Sequence, residues 1–301
     1  MQIKKIGVVS PGDMGQAIAT RLKESGLAVY TALDGRSART MALAEAAGLA
    51  DCGSIDELAH TCDMILSVLN PGAAVDKARQ VAAAMKATGR KPLFVDCNAI
   101  APQTAREIDA VIRSAGGSFV DAGILGSPPR GDVRTRIFLS GPDAFLLEQV
   151  LHPNLVWRVL SERIGDASAI KMCYGALTKG AVALGMELLI AARRLGVEDA
   201  LETELNESLA GVYRWLDGRF PSTPPKAYRW VPEMNEIAKT FEAAGLTPRI
   251  LLGAADMFEF VADTPLGRES PEQARAHGRG GHDVIRQLAD WAPVPPRPQM
   301  R

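Results

Sequence analysis

The sequence predicts an α/β chain that opens on a doubly wound sheet and continues as an all-α C-terminal domain. Three observations carry this expectation. Up to about residue 160, short apolar runs alternate with helical patterns, the rhythm of parallel strands joined by crossover helices. From about Ser161 onward the strand signals stop and long helical patterns take over. At the start, an apolar strand (Ile3, Ile6, Val8, Val9) runs into Ser10-Pro11-Gly12-Asp13-Met14-Gly15, and a helix follows at once through Gln16, Ala17, Ile18, Ala19 and Leu22. A chain of 301 residues is long enough for two cores, and the expected domains are 1–162 and 163–301.

The elements follow in order. Leu27 to Leu33 reads as the second strand, ending in Asp34-Gly35-Arg36-Ser37. Met41 to Ala47 and Ile55 to Ala59 are helical, and Met64 to Leu69 is a strand stopped by Asn70-Pro71-Gly72. Val75 to Met85 is a helix, and Leu93 to Asp96 a strand. Pro102 then sits at a favourable first-turn position of a helix that runs through Ile112. Phe119 to Ala122 and Arg136 to Ser140 are later strands. The helical half holds Ala167 to Leu195, Asp199 to Leu216, Val231 to Ala244, Pro248 to Asp263 and His282 to Trp291. Pro221 to Pro225 forms a corner, and Pro293 to Arg301 a frayed tail.

Composition excludes several classes of partner. The net charge is −1 with no long basic run, so nucleic acid is not an expected partner. The chain starts directly on a strand, with no signal peptide, and a cytoplasmic location is expected. The longest apolar stretch, Ala176 to Ala192, carries Lys179 and Glu187 and falls short of the roughly 20 residues of a membrane span. A helix buried on all sides, suited to a homodimer, is the expectation there. Cys52, Cys62, Cys97 and Cys173 have no metal-ligand spacing and are expected as buried reduced thiols; His60, His152, His277 and His282 are scattered, and no metal is expected.

Strand, glycine turn and helix N-terminus together make a Rossmann-type dinucleotide site. Glycines admit the pyrophosphate and the first helical turn turns its N–H groups toward the charge. Ser10 stands where the first glycine of G-x-G-x-x-G belongs, and an ordinary glycine turn would give the same local pattern. The end of the second strand meets the adenosine ribose. Asp34 there suits NAD, whereas Arg36 and Ser37 suit a 2′-phosphate. NADP(H) is the expected cofactor and NAD(H) the alternative. Lys171 lies early in the first helix of the second half, on one stripe with Gly175, Thr178 and Val182, with Lys179 beside it. A lysine on so apolar a helix serves a cleft or snorkels to water; in a cleft, desolvation would bring its pKa into the proton-transfer range.

Taken with later segments, these anchors resemble the β-hydroxyacid dehydrogenase superfamily, which includes 6-phosphogluconate and 3-hydroxyisobutyrate dehydrogenases. The family's G-x-I-G-x-G-x-M-G opening falls on Gly7 to Gly15, its strand-four loop on Ser67 to Pro71, and its D-x-S-T-x-x-P on Asp96 to Pro102. Its D-A-P-V-S-G-G falls on Asp121 to Ser127, and its G-x-x-x-K-x-x-x-N on Ala167 to Gly175. Two departures stand out: Leu125 replaces the serine of the carboxylate-binding element, and Gly175 replaces the asparagine one turn after the lysine. Thr178 or Lys179 is the expected substitute for that asparagine. The C-terminal half is similar to a 6-phosphogluconate-dehydrogenase-like branch with an uncharacterised C-terminal domain.

The resemblance implies hydride transfer between NADP(H) and a small hydroxy acid or its carbonyl counterpart, with Lys171 as general acid–base. It implies that Ser10, Pro11, Gly12, Asp13, Met14 and Gly15 cradle the pyrophosphate, that Arg36 and Ser37 meet the 2′-phosphate, and that Leu69, Asn70 and Asn98 line the nicotinamide ribose. Asn98, Gly126, Ser127, Lys171 and Thr178 would hold a carboxylated substrate. An imine reductase and a non-catalytic NADPH-binding protein are the rival readings; the lysine argues against the first. Tyr228 and Arg229 either reach an anionic substrate or belong to a helix start with Pro232 in its first turn and Trp230 packed below. Arg275 to His282 is either an anion loop or a flexible turn before the last helix.

Overall fold

In β1 (Lys5–Val9), Ile6 and Val8 join the core on one face of a sheet and Val9 the core on the other. The same alternation recurs along β4 (Met64–Ser67) and β5 (Leu93–Asp96), where Leu66 and Val95 share the first core and Ile65 and Phe94 the second. Strands buried on both faces need helices on both faces, which a parallel sheet with crossover helices supplies. The first core takes up Ile18 and Leu22 of α1 (Asp13–Glu24). The second takes up Leu58 of α3 (Ile55–Thr61), Val81 of α4 (Ala74–Thr88) and Ile108 of α5 (Pro102–Ser114).

The computed structural model describes residues 2–291, so the expected tail at Pro293 to Arg301 lies outside the described residues. With β2 (Ala28–Thr31), β3 (Ala50–Asp51), β6 (Phe119–Leu125), β7 (Thr135–Ser140) and β8 (Leu155–Ser161), the sheet has the order β3-β2-β1-β4-β5-β6-β7-β8. Every neighbouring pair is parallel except β6 and β7. The order reverses between β1 and β4, and that switch point opens a crevice at the carboxyl ends of the strands. Strands β3 and β8 were not visible in the pattern. The first is two residues long; the second is an edge strand with outward apolar residues such as Val159 and Leu160, which blurs alternation. α2 (Ala38–Ala46) starts earlier than its apolar pattern because Ser37 caps it.

The chain divides into one unit ending at Tyr174 and a second beginning at Gly175. Helix α6 (Asp166–Leu195) supplies the end of the first and the start of the second, whereas the sequence places the division before this helix. The second unit is helical: α7 (Glu198–Ser208), α8 (Ala210–Asp217), α9 (Ala227–Ala243), α10 (Arg249–Asp263), α11 (Pro271–His277) and α12 (Gly281–Asp290). The single helix expected over Asp199 to Leu216 is two, because Leu209 leaves helical geometry at φ −133° and ψ 29°. α6 alone among the described helices has the length and apolarity of a membrane span. Within one chain Met172, Val182 and Met186 are buried, whereas Leu177 is 70% and Leu184 62% exposed.

Candidate active site

The turn after β1 is built for close approach. Ser10 has φ +62°, and it is the one non-glycine residue with positive φ among the described residues. It has taken the left-handed conformation that the glycine of the usual pattern would supply at little cost, and strain of this kind concentrates at functional sites. Gly12 forms the N-cap of α1, and no side chain caps that end. A Cβ on Gly15 would come within 3.1 Å of the Ser10 carbonyl oxygen and 3.4 Å of Val8, so helix and strand meet there only through a glycine. A helix start without a side-chain cap, backed by two such close approaches, fits a dinucleotide diphosphate. Arg130 donates from Nη2 to Asp13 Oδ1 at 2.7 Å, an ion pair at this cradle that sequence reading missed. The partners lie far apart in the chain, and no motif joins them.

Beyond β2, a cavity of about 670 Å3 is lined by Asp34, Gly35, Arg36, Met41, Cys52 and Gly53, among others. It occupies the place where a doubly wound fold holds the adenosine ribose. Asp51, which also borders it, uses Oδ1 to accept from the backbone of Leu33 and Gly53. Ser37 accepts from the Thr40 N–H as the cap of α2, and its hydroxyl also meets the Thr40 hydroxyl at 3.0 Å. Lys77 of α4 has its pKa lowered, first by burial and then by the charge of Arg36. Two cations thus stand close enough to repel one another.

Around β4 and β5 the polar groups hold each other. Asp96 is wholly buried and accepts from the Asn98 backbone at 2.9 Å and the Asn98 side chain at 2.8 Å. Asn98 also donates to Ser67 Oγ at 3.0 Å and accepts from the Leu69 backbone at 2.6 Å. Both amide hydrogens of Asn98 are therefore spent inside the protein, and the residue is only 2% exposed. What it presents outward is a remaining lone pair and its backbone. Asn70 caps the short 3₁₀ turn Pro71–Ala73 through Gly72.

Lys171 Nζ donates to the Cys97 carbonyl at 3.2 Å, which brings the lysine to the loop that carries Asn98. Two features place it there. A Cβ on Gly123 would lie 2.5 Å from the Ala167 carbonyl and 3.2 Å from Lys171 Cβ, so β6 and α6 approach this closely through a glycine. In addition, Asp121 on β6 accepts from the Gly165 and Ser168 backbones and from the Ser168 and Ser140 hydroxyls, while Ser140 accepts from the Ala167 backbone. The sheet itself caps the start of α6. Burial pushes the Asp96 carboxyl up to about 7, the nearby Asp121 adding to the rise while Asn98 and the Lys171 charge oppose it. Burial likewise raises Asp121, against the pull of its donors.

The two departures from the family pattern have steric causes. Leu125 is buried with Phe138, Ala167 and Ile170, so it packs under α6 rather than facing a ligand. A Cβ on Gly175 would come within 3.0 Å of the terminal methyl of Ile237 on α9, so any side chain there would require Ile237 to give way. The Lys179 ammonium pairs with Glu233 at 2.7 Å and lies 5.6 Å from the Trp230 ring centroid. Thr178 is half-buried in the second unit, and Gly126, with φ +111°, and Ser127 are exposed at the end of β6.

Other expectations are corrected. Pro232 lies inside α9, not in its first turn, because the prolines at 224 and 225 start the helix early, at Ala227. Trp230 packs edge-on against Phe258, and Tyr228 and Arg229 are exposed. Arg275 to His282 holds the end of α11, closed by Gly278, with Arg279 and His277 on Glu269, so it is an ordered helix end. Cys62 and Cys97 are buried as expected, but Cys52 is half-buried and Cys173 exposed. His282 is less isolated than its sequence position suggests: it meets Glu198 and Glu202, with Arg193 on the same Glu198.

Comparison with known proteins bears on this geometry. Residues 5–151 match the NAD binding domain of 6-phosphogluconate dehydrogenase, and residues 192–261 match a domain of unknown function, DUF1932. A solved protein of unknown function, described as structurally similar to 3-hydroxyacid dehydrogenases, is 31% identical over 91% of this chain and 99% of its own, with a TM-score of 0.61. The 3-hydroxyisobutyrate dehydrogenase of Pseudomonas aeruginosa is 25% identical over 87% of this chain and 88% of its own. An imine reductase from Streptomyces aurantiacus, 19% identical, shares the fold over 91% of this chain and 99% of its own, with a TM-score of 0.54.

Proposed function

Since the chain belongs to the 3-hydroxyacid dehydrogenase-like family that joins a 6-phosphogluconate-dehydrogenase NAD-binding domain to DUF1932, it is an NAD(P)-dependent oxidoreductase, and we propose that it interconverts a small hydroxy acid and its carbonyl counterpart with NADP(H). The observation that carries this reading is Lys171 held at 3.2 Å from the Cys97 carbonyl, beside the dinucleotide crevice. Bound NADP(H) would supply or take up the hydride at its nicotinamide.

In this reading Lys171 Nζ accepts the hydroxyl proton during oxidation and returns one to the carbonyl oxygen during reduction. Asn98 fixes the strand ends through Asp96, Ser67 and Leu69. Gly126 and Ser127 offer backbone and hydroxyl groups to a carboxylate. Gly12, Asp13, Met14 and Gly15, with Ser10 and Pro11 shaping the turn, hold the diphosphate through the first turn of α1. Arg36 and Ser37, with Lys77 behind them, favour a 2′-phosphate, since an anion relieves the repulsion between the two cations. The exposed Leu177 and Leu184, seven residues apart on α6, support a homodimer through that face.

An imine is the second substrate class, because the serine of the carboxylate-binding element is missing here and Leu125, in its place, packs under α6. The deciding experiment follows NADPH or NADP absorbance with a panel of hydroxy acids, keto acids, aldehydes and cyclic imines. Turnover confined to hydroxy and keto acids supports the proposal; turnover confined to imines overturns it. Tight NADPH binding without turnover on any substrate would make this a binding protein. In parallel, Arg36→Ala is expected to weaken NADPH by at least about ten-fold and NADH little. Equal losses would remove the NADP preference.

A further inference from the structure

We infer that Arg130 is a determinant of dinucleotide binding that works by neutralising Asp13. The inference rests on the cofactor reading above and adds to it a residue outside every glycine-loop motif. A helix N-terminus attracts a diphosphate with a fraction of a positive charge. Asp13 places a full negative charge on the first residue of that helix, where it would repel the ligand it helps to frame. Arg130 answers it. Its Nη2 donates to Asp13 Oδ1 at 2.7 Å, to the Asp13 carbonyl at 3.1 Å and to Gln16 Oε1 at 3.3 Å.

The loop that brings Arg130 there is fastened to the same helix. It connects β6 to β7, with Pro128 and Pro129 stiffening the approach. Arg21 of α1 donates from Nε to the Pro129 carbonyl at 2.7 Å and from Nη2 to the Gly131 carbonyl at 2.9 Å, gripping the backbone on both sides of Arg130. Asn154 donates to the Gly131 and Val133 carbonyls, and Thr135 donates to Ser127, holding the rest. The Arg130 side chain itself is half exposed, so its charge faces the solvent from which the dinucleotide arrives. A loop anchored this way delivers a cation to a fixed point on α1. A surface ion pair placed there for stability alone would contribute little.

The test is a thermodynamic cycle read by NADPH fluorescence titration on the full-length protein. Arg130→Ala is expected to raise the NADPH Kd by about ten-fold or more, with a smaller effect at high salt. Asp13→Asn alone is expected to lower the NADPH Kd, because it removes the charge that opposes the diphosphate and leaves Arg130 in place. Asp13→Asn combined with Arg130→Ala is expected to return the Kd to within about three-fold of the wild type. Recovery in the double variant is something a mere latch on the loop would not give. An unchanged Kd in Arg130→Ala overturns the inference. Equal weakness of the single and double variants also overturns it, because Arg130 would then act on something other than Asp13. If wild-type protein binds no nicotinamide dinucleotide, the cofactor reading fails first and this inference with it. Melting curves and Arg130→Lys, which keeps the charge, separate binding loss from loss of fold.

Discussion

The sheet unit and the helical unit handle buried charge in opposite ways. In the first, Asp96 and Asp121 are buried carboxylates surrounded by backbone N–H groups, hydroxyls and one amide. In the second, half-buried charges meet other side-chain charges: Lys179 with Glu233, Arg193 with Glu198, Arg279 with Glu269. A carboxylate held by backbone donors fixes strand ends and a helix start relative to one another. A side-chain pair fixes only two long side chains, at an entropic cost. The difference teaches where rigidity is placed, namely around the ends of β5 and β6 and the start of α6, the helix that carries Lys171.

The largest expected effect falls on Asp121. Asp121→Ala leaves two backbone N–H groups and two hydroxyls buried without their acceptor, and a loss of at least about 3 kcal/mol is expected by urea unfolding. By contrast, Glu233→Gln in the helical unit is expected to cost about 1 kcal/mol. Equal losses would erase the contrast.

A pH titration sharpens it. Folding raises the Asp96 carboxyl to about 7 from an ordinary value of 3.8, so the native state holds its proton more tightly than the unfolded chain. This contribution is complete below about pH 4 and is lost as pH rises through about 7, worth at most about 4 kcal/mol. Asp121, raised in the same direction, adds to the trend. Asp96→Asn is expected to flatten the loss of stability between about pH 5 and about pH 8 in urea unfolding. An unaltered slope would mean that Asp96 does not titrate in this window. The smallest effect is a gain: Ser10→Gly relieves a left-handed serine and is expected to stabilise by about 1 kcal/mol. Destabilisation would mean that the hydroxyl is needed locally.

The doubly wound sheet was legible because Ile6, Val8, Ile65 and Phe94 alternate between two apolar cores, and each strand ends at a turn residue. The helical half was legible as helices but not in its breaks, since Leu209 carries no breaker chemistry and Pro232 is normally one. At the candidate site, the glycine turn and Lys171 were readable as local patterns. The Arg130–Asp13 pair was not, nor was the sheet-borne cap on α6, because both depend on residues far apart in sequence. Nor did sequence alone explain Gly175 and Leu125. Each answers to a neighbour, Ile237 or Phe138, that only the fold brings into contact.

The central claim is that Lys171 is the group that moves the proton. Lys171→Met is the most direct test, with NADPH affinity and substrate turnover measured on the same protein. The expected result is an NADPH Kd near the wild-type value and turnover lower by about a hundred- to ten-thousand-fold. Near-normal turnover would contradict the account and remove Lys171 from the chemistry.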